Sequence, residues 1–145
     1  MKIYGIVAEY NPFHNGHKFQ IDEIRKKAGD CAIVSVMSGN YVQRAETAVM
    51  SKYARAKAAL LGGVDLVLEL PMPYAISSAE RFAYSSVHIL NSLGAVTDIS
   101  FGSECGSISI LKKAVEALYD ENVNLKLKAE LKNGVSYPAA RFAAG

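Results

Sequence analysis

The chain has 145 residues, half of them apolar and 21% charged, with a formal net charge of +2. That length suits a single domain with one core, and the near balance of charge offers none of the strongly basic stripes that hold nucleic acid. The first apolar run, residues 3–8, is too short for a signal-peptide core or a membrane span. With Cys31 and Cys105 matching no metal spacing, the reading is a cytoplasmic protein with no membrane partner.

Ile3-Tyr4-Gly5-Ile6-Val7-Ala8 has the continuous apolar pattern of a strand covered on both faces. A helix is predicted over residues 16–28, with His17, Ile21, Ile24 and Ala28 on one face and Gly29-Asp30 at its end. Residues 32–37 form the second strand, opened by Cys31, which is expected to be buried. A helix over residues 49–61 follows, stopped by Gly62-Gly63. Its Lys52, Arg55 and Lys57 are placed on an exposed face that serves solubility. The third strand is residues 65–70, with Asp65 as its turn residue and Pro71 and Pro73 ending it.

Residues 78–92 read as a helix with Ala79, Phe82, Ser86, Leu90 and Leu93 on one side. Residues 96–101 are the fourth strand, and Ile108, Leu111, Val115, Leu118 and Tyr119 mark the fourth helix. Leu125, Leu127, Ala129 and Leu131 alternate with charged residues as a strand would, but Val123, Leu127 and Leu131 also share a helical face. The residue types favour helix, closed by Asn133-Gly134. Ser136 as N-cap with Pro138 in the first turn opens another helix.

Strands alternating with helices indicate right-handed βαβ units, hence an α/β fold with a doubly wound parallel sheet. With strand order 3-2-1-4-5, strands 1 and 4 meet at the switch point, where ligands bind beyond the carboxyl ends. This nominates two loops, residues 9–15 and 102–106. A fifth strand would follow residue 145, so residues 1–145 are read as one domain from the N-terminal part of a longer protein.

The first loop carries Glu9-Tyr10-Asn11-Pro12-Phe13-His14-Asn15-Gly16-His17. His14 and His17, three apart at a helix start, lean to the same side. Gly16 lets a ligand approach the backbone, and the helix N-terminus adds free N–H groups and partial positive charge. The set is a phosphate cradle with two imidazole donors, suited to charge that grows on phosphorus in a transition state. A zinc site is disfavoured, because no further ligand stands nearby.

His-X-Gly-His after the first strand is the motif of the nucleotidylyltransferase superfamily. The match extends through Met37-Ser38-Gly39-Asn40-Tyr41-Val42-Gln43-Arg44, Ala54-Arg55-Ala56-Lys57, Gly63-Val64-Asp65-Leu66-Val67-Leu68-Glu69-Leu70-Pro71 and Phe101-Gly102-Ser103-Glu104. Over essentially its whole length the chain resembles the catalytic domain of the tRNA(Met) cytidine acetate ligase family. It departs from that pattern at Ala45 and Thr47, where the family has Gly and Pro. The resemblance implies a Rossmann-like, HUP-type nucleotidylyltransferase fold. It also implies activation of acetate by ATP to acetyl-adenylate, then transfer to N4 of the wobble cytidine of elongator tRNA(Met).

It implies as catalytic residues His14 and His17, and as ATP-binding residues Val7, Ala8, Glu9, Tyr10, Asn11, Pro12, Phe13, His14, Asn15, Gly16, His17, Lys18, Phe19, Gln20 and Gly102. Mg²⁺ rides on the ATP phosphates, no protein metal ligand is assigned, and tRNA(Met) is held mostly by residues outside this chain. Arg44 pairs either with a phosphate or acetate, or with Glu46; Glu104 either orients a metal-bound water or closes a helix cap. Two rival functions remain open: a nucleotidylyltransferase acting on a small phosphorylated acceptor, for which only Arg44 and Lys18 stand ready, and a non-catalytic ATP-binding module.

Overall fold

Four of the apolar runs become the strands of one parallel sheet in the computed structural model, which describes residues 1–136, 139 and 140. The helix start at Ser136-Tyr137-Pro138 falls largely outside the described residues. The strands are β1 (Lys2–Ala8), β2 (Cys31–Ser38), β3 (Leu66–Leu70) and β4 (Asp98–Ser100), in the order β3-β2-β1-β4. Every pairing is parallel, with Val7 opposite Val36, Ile6 opposite Ser100, and Val36 opposite Leu68. This is the predicted doubly wound order, with β1 and β4 side by side.

The helices are α1 (Asn15–Ala28), α2 (Lys52–Leu61), α3 (Met72–Ala75), α4 (Ala79–Ser92), α5 (Ile108–Tyr119) and α6 (Glu121–Lys132). The chain divides into two units, Met1–Gly102 with the sheet and α1 to α4, and Ser103–Gly145 with α5 and α6.

In the sheet unit, side chains alternate across β2 and so divide the core in two. Cys31, Ile33 and Met37 pack with Ile6, Tyr10, Ile21, Ile24, Ala59 and Val64, under α1 and α2. Val34 and Val36 pack with Leu70, Ala75, Phe82 and Leu90, under α3 and α4. Each fully buried aliphatic side chain contributes about 1.5–3 kcal/mol, so β2, buried on both faces, anchors the unit. The predicted stripe of α4 is found at Phe82, Ser86 and Leu90. At Gly5 the Leu90 side chain of α4 packs directly on β1: a Cβ there would stand 2.7 Å from Leu90 Cδ1, and that side chain would have to shift.

Several boundaries differ from expectation for identifiable reasons. The second helix starts at Lys52, not residue 49, because the Ser51 hydroxyl caps it by accepting from the Ala54 N–H at 3.3 Å. Pro73 does not merely end β3; it sits in the first turn of α3, where a missing N–H is harmless. β4 starts two residues late because Thr97 Oγ1, not a backbone carbonyl, accepts from Ile3 N. Asp65 is the turn residue expected, and it also staples the fold. Its Oδ2 accepts from Ile33 N at 2.7 Å and from Arg25 Nη2 at 2.9 Å.

The largest correction concerns Arg55. It is not on an exposed face; it is fully buried, whereas Lys57 is exposed and Lys52 pairs with Glu69 at 2.6 Å. The charged row of α2 therefore wraps from solvent into the interior.

In the second unit, the ambiguous segment is helical as favoured. Asp120 Oδ1 accepts from Asn122 N and Val123 N at 2.7 and 3.2 Å, and this cap commits the following residues to α6.

Candidate active site

The first turn of α1 is built by its own histidines. His14 is the N-cap, in extended backbone, and its Nδ1 accepts from Gly16 N at 3.1 Å. His17 Nδ1 accepts in return from His14 N at 3.2 Å, a reciprocal capping box made from two imidazoles. The two rings lie 3.8 Å apart between centroids, tilted by 30°, on one side of the helix as the spacing predicted.

This geometry fixes the tautomers. A ring nitrogen that accepts a hydrogen bond carries no proton, so each neutral ring bears its proton on Nε2. Two N–H donors are thereby offered at the helix N-terminus, where the free backbone N–H groups expected from sequence are largely taken up. Gly16 N donates to His14 Nδ1, and His17 N and Lys18 N donate to His14 O. Burial, and then the proximity of His14, lower the pKa of His17 below the ordinary histidine value, which favours the same neutral form.

Aromatic residues hold His17 in place. Tyr10 meets it edge-on at 4.8 Å, and Phe13 lies 5.5 Å away. Tyr10 is buried and adopts a left-handed backbone with φ of 47°, a conformation that costs a residue with a Cβ about 1–2 kcal/mol. Its hydroxyl lies 3.2 Å from Ser35 Oγ as acceptor, and burial pushes its pKa up. Asn11-Pro12, next along, is a cis peptide.

A cleft of about 480 Å³ opens above the carboxyl end of β1, lined by Val7, Ala8, Glu9, Tyr10, Asn11, Pro12, His14, His17 and Gln20, together with Gln43 and Phe82. The rest of the predicted stretch lies elsewhere. Phe13 packs against α2 at Gly62, whose missing Cβ leaves room for the ring. Asn15 and Gly16 supply the helix start, Lys18 pairs with Asp22, and Phe19 is exposed. Gly102 does not line this cleft, and beyond its two chain neighbours no atom lies within 4 Å of where its Cβ would stand.

Two lining residues were not singled out from sequence. Phe82 was predicted only as core, and the same buried stripe of α4 carries it into the cleft wall. Gln43 belongs to a loop whose position depends on long-range bonds: its N–H donates to Glu9 Oε1 at 2.8 Å. The nearby Arg44 is exposed, has φ of 65°, and forms no ion pair with Glu46 among the described residues. No group of three or more His, Cys, Asp or Glu among the described residues could hold a metal ion, and no described helix is long and apolar enough to cross a membrane.

A strand–loop–helix with paired histidines at the switch point of a parallel sheet agrees with the comparison to protein families, in which the model of the HIGH nucleotidyl transferases matches residues 1–144. The chain belongs to that family. Within reach of this HIGH nucleotidyl transferase chain are the tRNA(Met) cytidine acetate ligases of Acetivibrio thermocellus, 50% identical over 146 residues, and Caldicellulosiruptor saccharolyticus, 52% identical over 143. These alignments cover 99% and 97% of this chain but 35% and 36% of the relatives. Among solved structures, Thermotoga maritima TmcAL bound with alpha-thio ATP superposes with a TM-score of 0.90 at 45% identity, over 99% of this chain and 35% of that one. The chain thus spans about a third of the length of the relatives it matches.

Proposed function

We propose that this chain is the ATP-binding part of an enzyme that activates acetate with ATP and passes the acetyl group to N4 of the wobble cytidine of elongator tRNA(Met). The observation that carries the reading is the pair of outward Nε2–H donors at the α1 N-terminus, beside a cleft walled by the carboxyl end of β1. The relatives named as acetate ligases, and the 45% identical neighbour with an ATP analogue, support the choice of nucleotide and substrate.

In this reading the polyphosphate of ATP lies against the start of α1. An acetate oxygen bonds to the α-phosphorus, the bond from that phosphorus to the bridging oxygen breaks, and pyrophosphate leaves. His14 and His17 donate to phosphate oxygens whose charge grows along that path. The cytidine amine then attacks the acetyl carbon and AMP leaves. Mg²⁺ travels with the phosphates; tRNA is held mostly by residues outside this chain, and the reaction is cytoplasmic.

The direct test is pyrophosphate exchange into ATP by the full-length protein, offered acetate, other small carboxylates and phosphorylated acceptors in turn. Exchange is expected with acetate. Exchange that demands a phosphomonoester and ignores acetate would replace this reading with nucleotidyl transfer. Gly102→Val tests the strand-4 edge separately. No atom of the chain stands in the way of a side chain there, so thermal stability is expected to hold while ATP binds roughly tenfold more weakly, a step of about 1.4 kcal/mol. Unchanged affinity would remove Gly102 from the nucleotide site.

A further inference from the structure

We propose that Arg55 is a positioning residue that clamps together the backbones of the two loops walling the cleft, and so sets where His17 and the bound nucleotide meet. The inference rests on the reading of the cleft as the adenylate-forming site.

Arg55 is fully buried, yet forms no ion pair with a carboxylate among the described residues. Its donors end instead on backbone carbonyls from three stretches of chain. Nε donates to Met50 O at 3.2 Å, ahead of α2, and Nη1 to Glu9 O at 2.5 Å, in the loop after β1. Nη2 donates to Ser38 O at 3.1 Å and also to Gly39 O, at the end of β2. Burying a guanidinium with no paired anion is expensive. Here the cost is offset by carbonyl dipoles and by the nearby charges of Glu9 and Glu69, which oppose the lowering of its pKa by burial.

A planar fork can reach these segments at once. An ammonium, with its donors on a single atom, cannot. The surroundings are arranged to leave the carbonyls free for it. Gly39 has no side chain where the Glu69 carboxylate lies, and Lys52 holds that carboxylate at 2.6 Å.

The bonds fall where they bear on the chemistry. Glu9 lines the cleft, and the next residue is Tyr10, in its left-handed conformation, with its ring against His17. Two further bonds join the same loops, Gln43 N to Glu9 Oε1 and Val49 N to Asn11 Oδ1, both at 2.8 Å. Releasing Glu9 O therefore loosens the support of His17 without removing any side chain that lines the cleft.

The experiment uses the full-length protein with Arg55→Lys and Arg55→Ala. For Arg55→Lys, single-turnover acetyl-adenylate formation at saturating ATP is expected to fall about 100-fold, the scale of a misplacement near 1 Å, with a much smaller change in ATP affinity. Amide exchange should rise in residues 9–11 and 39–50 while β1 and β2 stay protected. Guanidinium at sub-denaturing concentration is expected to restore rate to Arg55→Ala by refilling the clamp. A wild-type rate with unchanged exchange in Arg55→Lys overturns the proposal. Loss of protection across the whole sheet, or further inactivation of Arg55→Ala by guanidinium, also overturns it and makes Arg55 a residue of the core only. If the wild-type protein forms no acetyl-adenylate, the functional reading fails, and amide exchange alone still decides the clamp.

Discussion

In the loop after β1 the side chains hold their own backbone, whereas the loop after β2 is held by side chains that come from elsewhere. His14 and His17 cap the first turn of α1 through bonds two and three residues long. The loop after β2 offers its N–H groups at Gln43 and Val49 to Glu9 and Asn11, over spans of 34 and 38 residues. Its start is tied down by Arg55. Arg44 stands out on that loop as a charged residue, yet the structure leaves it exposed, while Arg55 is sealed inside. A self-capped loop presents reactive groups in a fixed direction. A loop held from outside is a wall, and its residues contribute mainly by where they stand.

The sharpest break of this contrast comes at His17, which is both cap and donor. His17→Ala removes both functions and is expected to lower adenylate formation by about 10²–10³ with little loss of ATP affinity, the usual result of deleting one well-placed donor. His17→Gln keeps a capping-box acceptor but not the ring, so it should lose the rate and keep the stability. Single-turnover kinetics, equilibrium ATP binding and thermal melts of both variants separate the roles. A large loss of affinity with an intact rate at saturation would leave His17 a binding group only.

On the other side of the contrast, Asn11→Ala removes the acceptor for Val49 N. Because that bond is exposed, solvent compensates in part, and a loss of about 0.5–1.5 kcal/mol is expected by denaturant melts. Faster amide exchange should be confined to residues 47–50. An unchanged midpoint would mean that the second loop does not depend on the first.

A smaller effect of opposite sign is expected at Ala45. It occupies the left-handed region with φ of 58°, at the position where the resembled family has Gly. Ala45→Gly relieves the Cβ conflict at some cost in chain entropy, for a net gain of about 0.5–1 kcal/mol. A destabilised Ala45→Gly protein would show that the loop gains more from rigidity than it loses to strain.

The smallest expected effect is that of pH. The folded-state pKa of His17 is lowered, first by burial and then by His14, so the unfolded chain takes up the proton first. The associated stability is complete above the ordinary histidine value of 6.5 and is lost as pH falls from there through the folded value. Melting midpoints of wild type and His17→Gln, alike at neutral pH, should separate toward acid, with wild type falling faster. Parallel curves would assign the acid sensitivity to another group.

The sequence by itself determined the parallel sheet and the pairing of two histidines on one side of a helix start, because both depend on neighbours; that the imidazoles also cap the helix emerged only in the structure. Continuous apolar runs of six residues cannot face water, and histidines three apart at a helix start meet whatever packs beyond them. The order β3-β2-β1-β4 also followed, since right-handed crossovers leave few alternatives. Tertiary structure alone decided which charges would count. Helical periodicity gave Arg55 the same standing as Lys52 and Lys57; only the approach of three distant carbonyl groups made its burial tolerable. Phe82 and Gln43 entered the cleft in the same way, through packing and bonds across more than thirty residues. Phe13 left it because Gly62, far along the chain, had room for its ring.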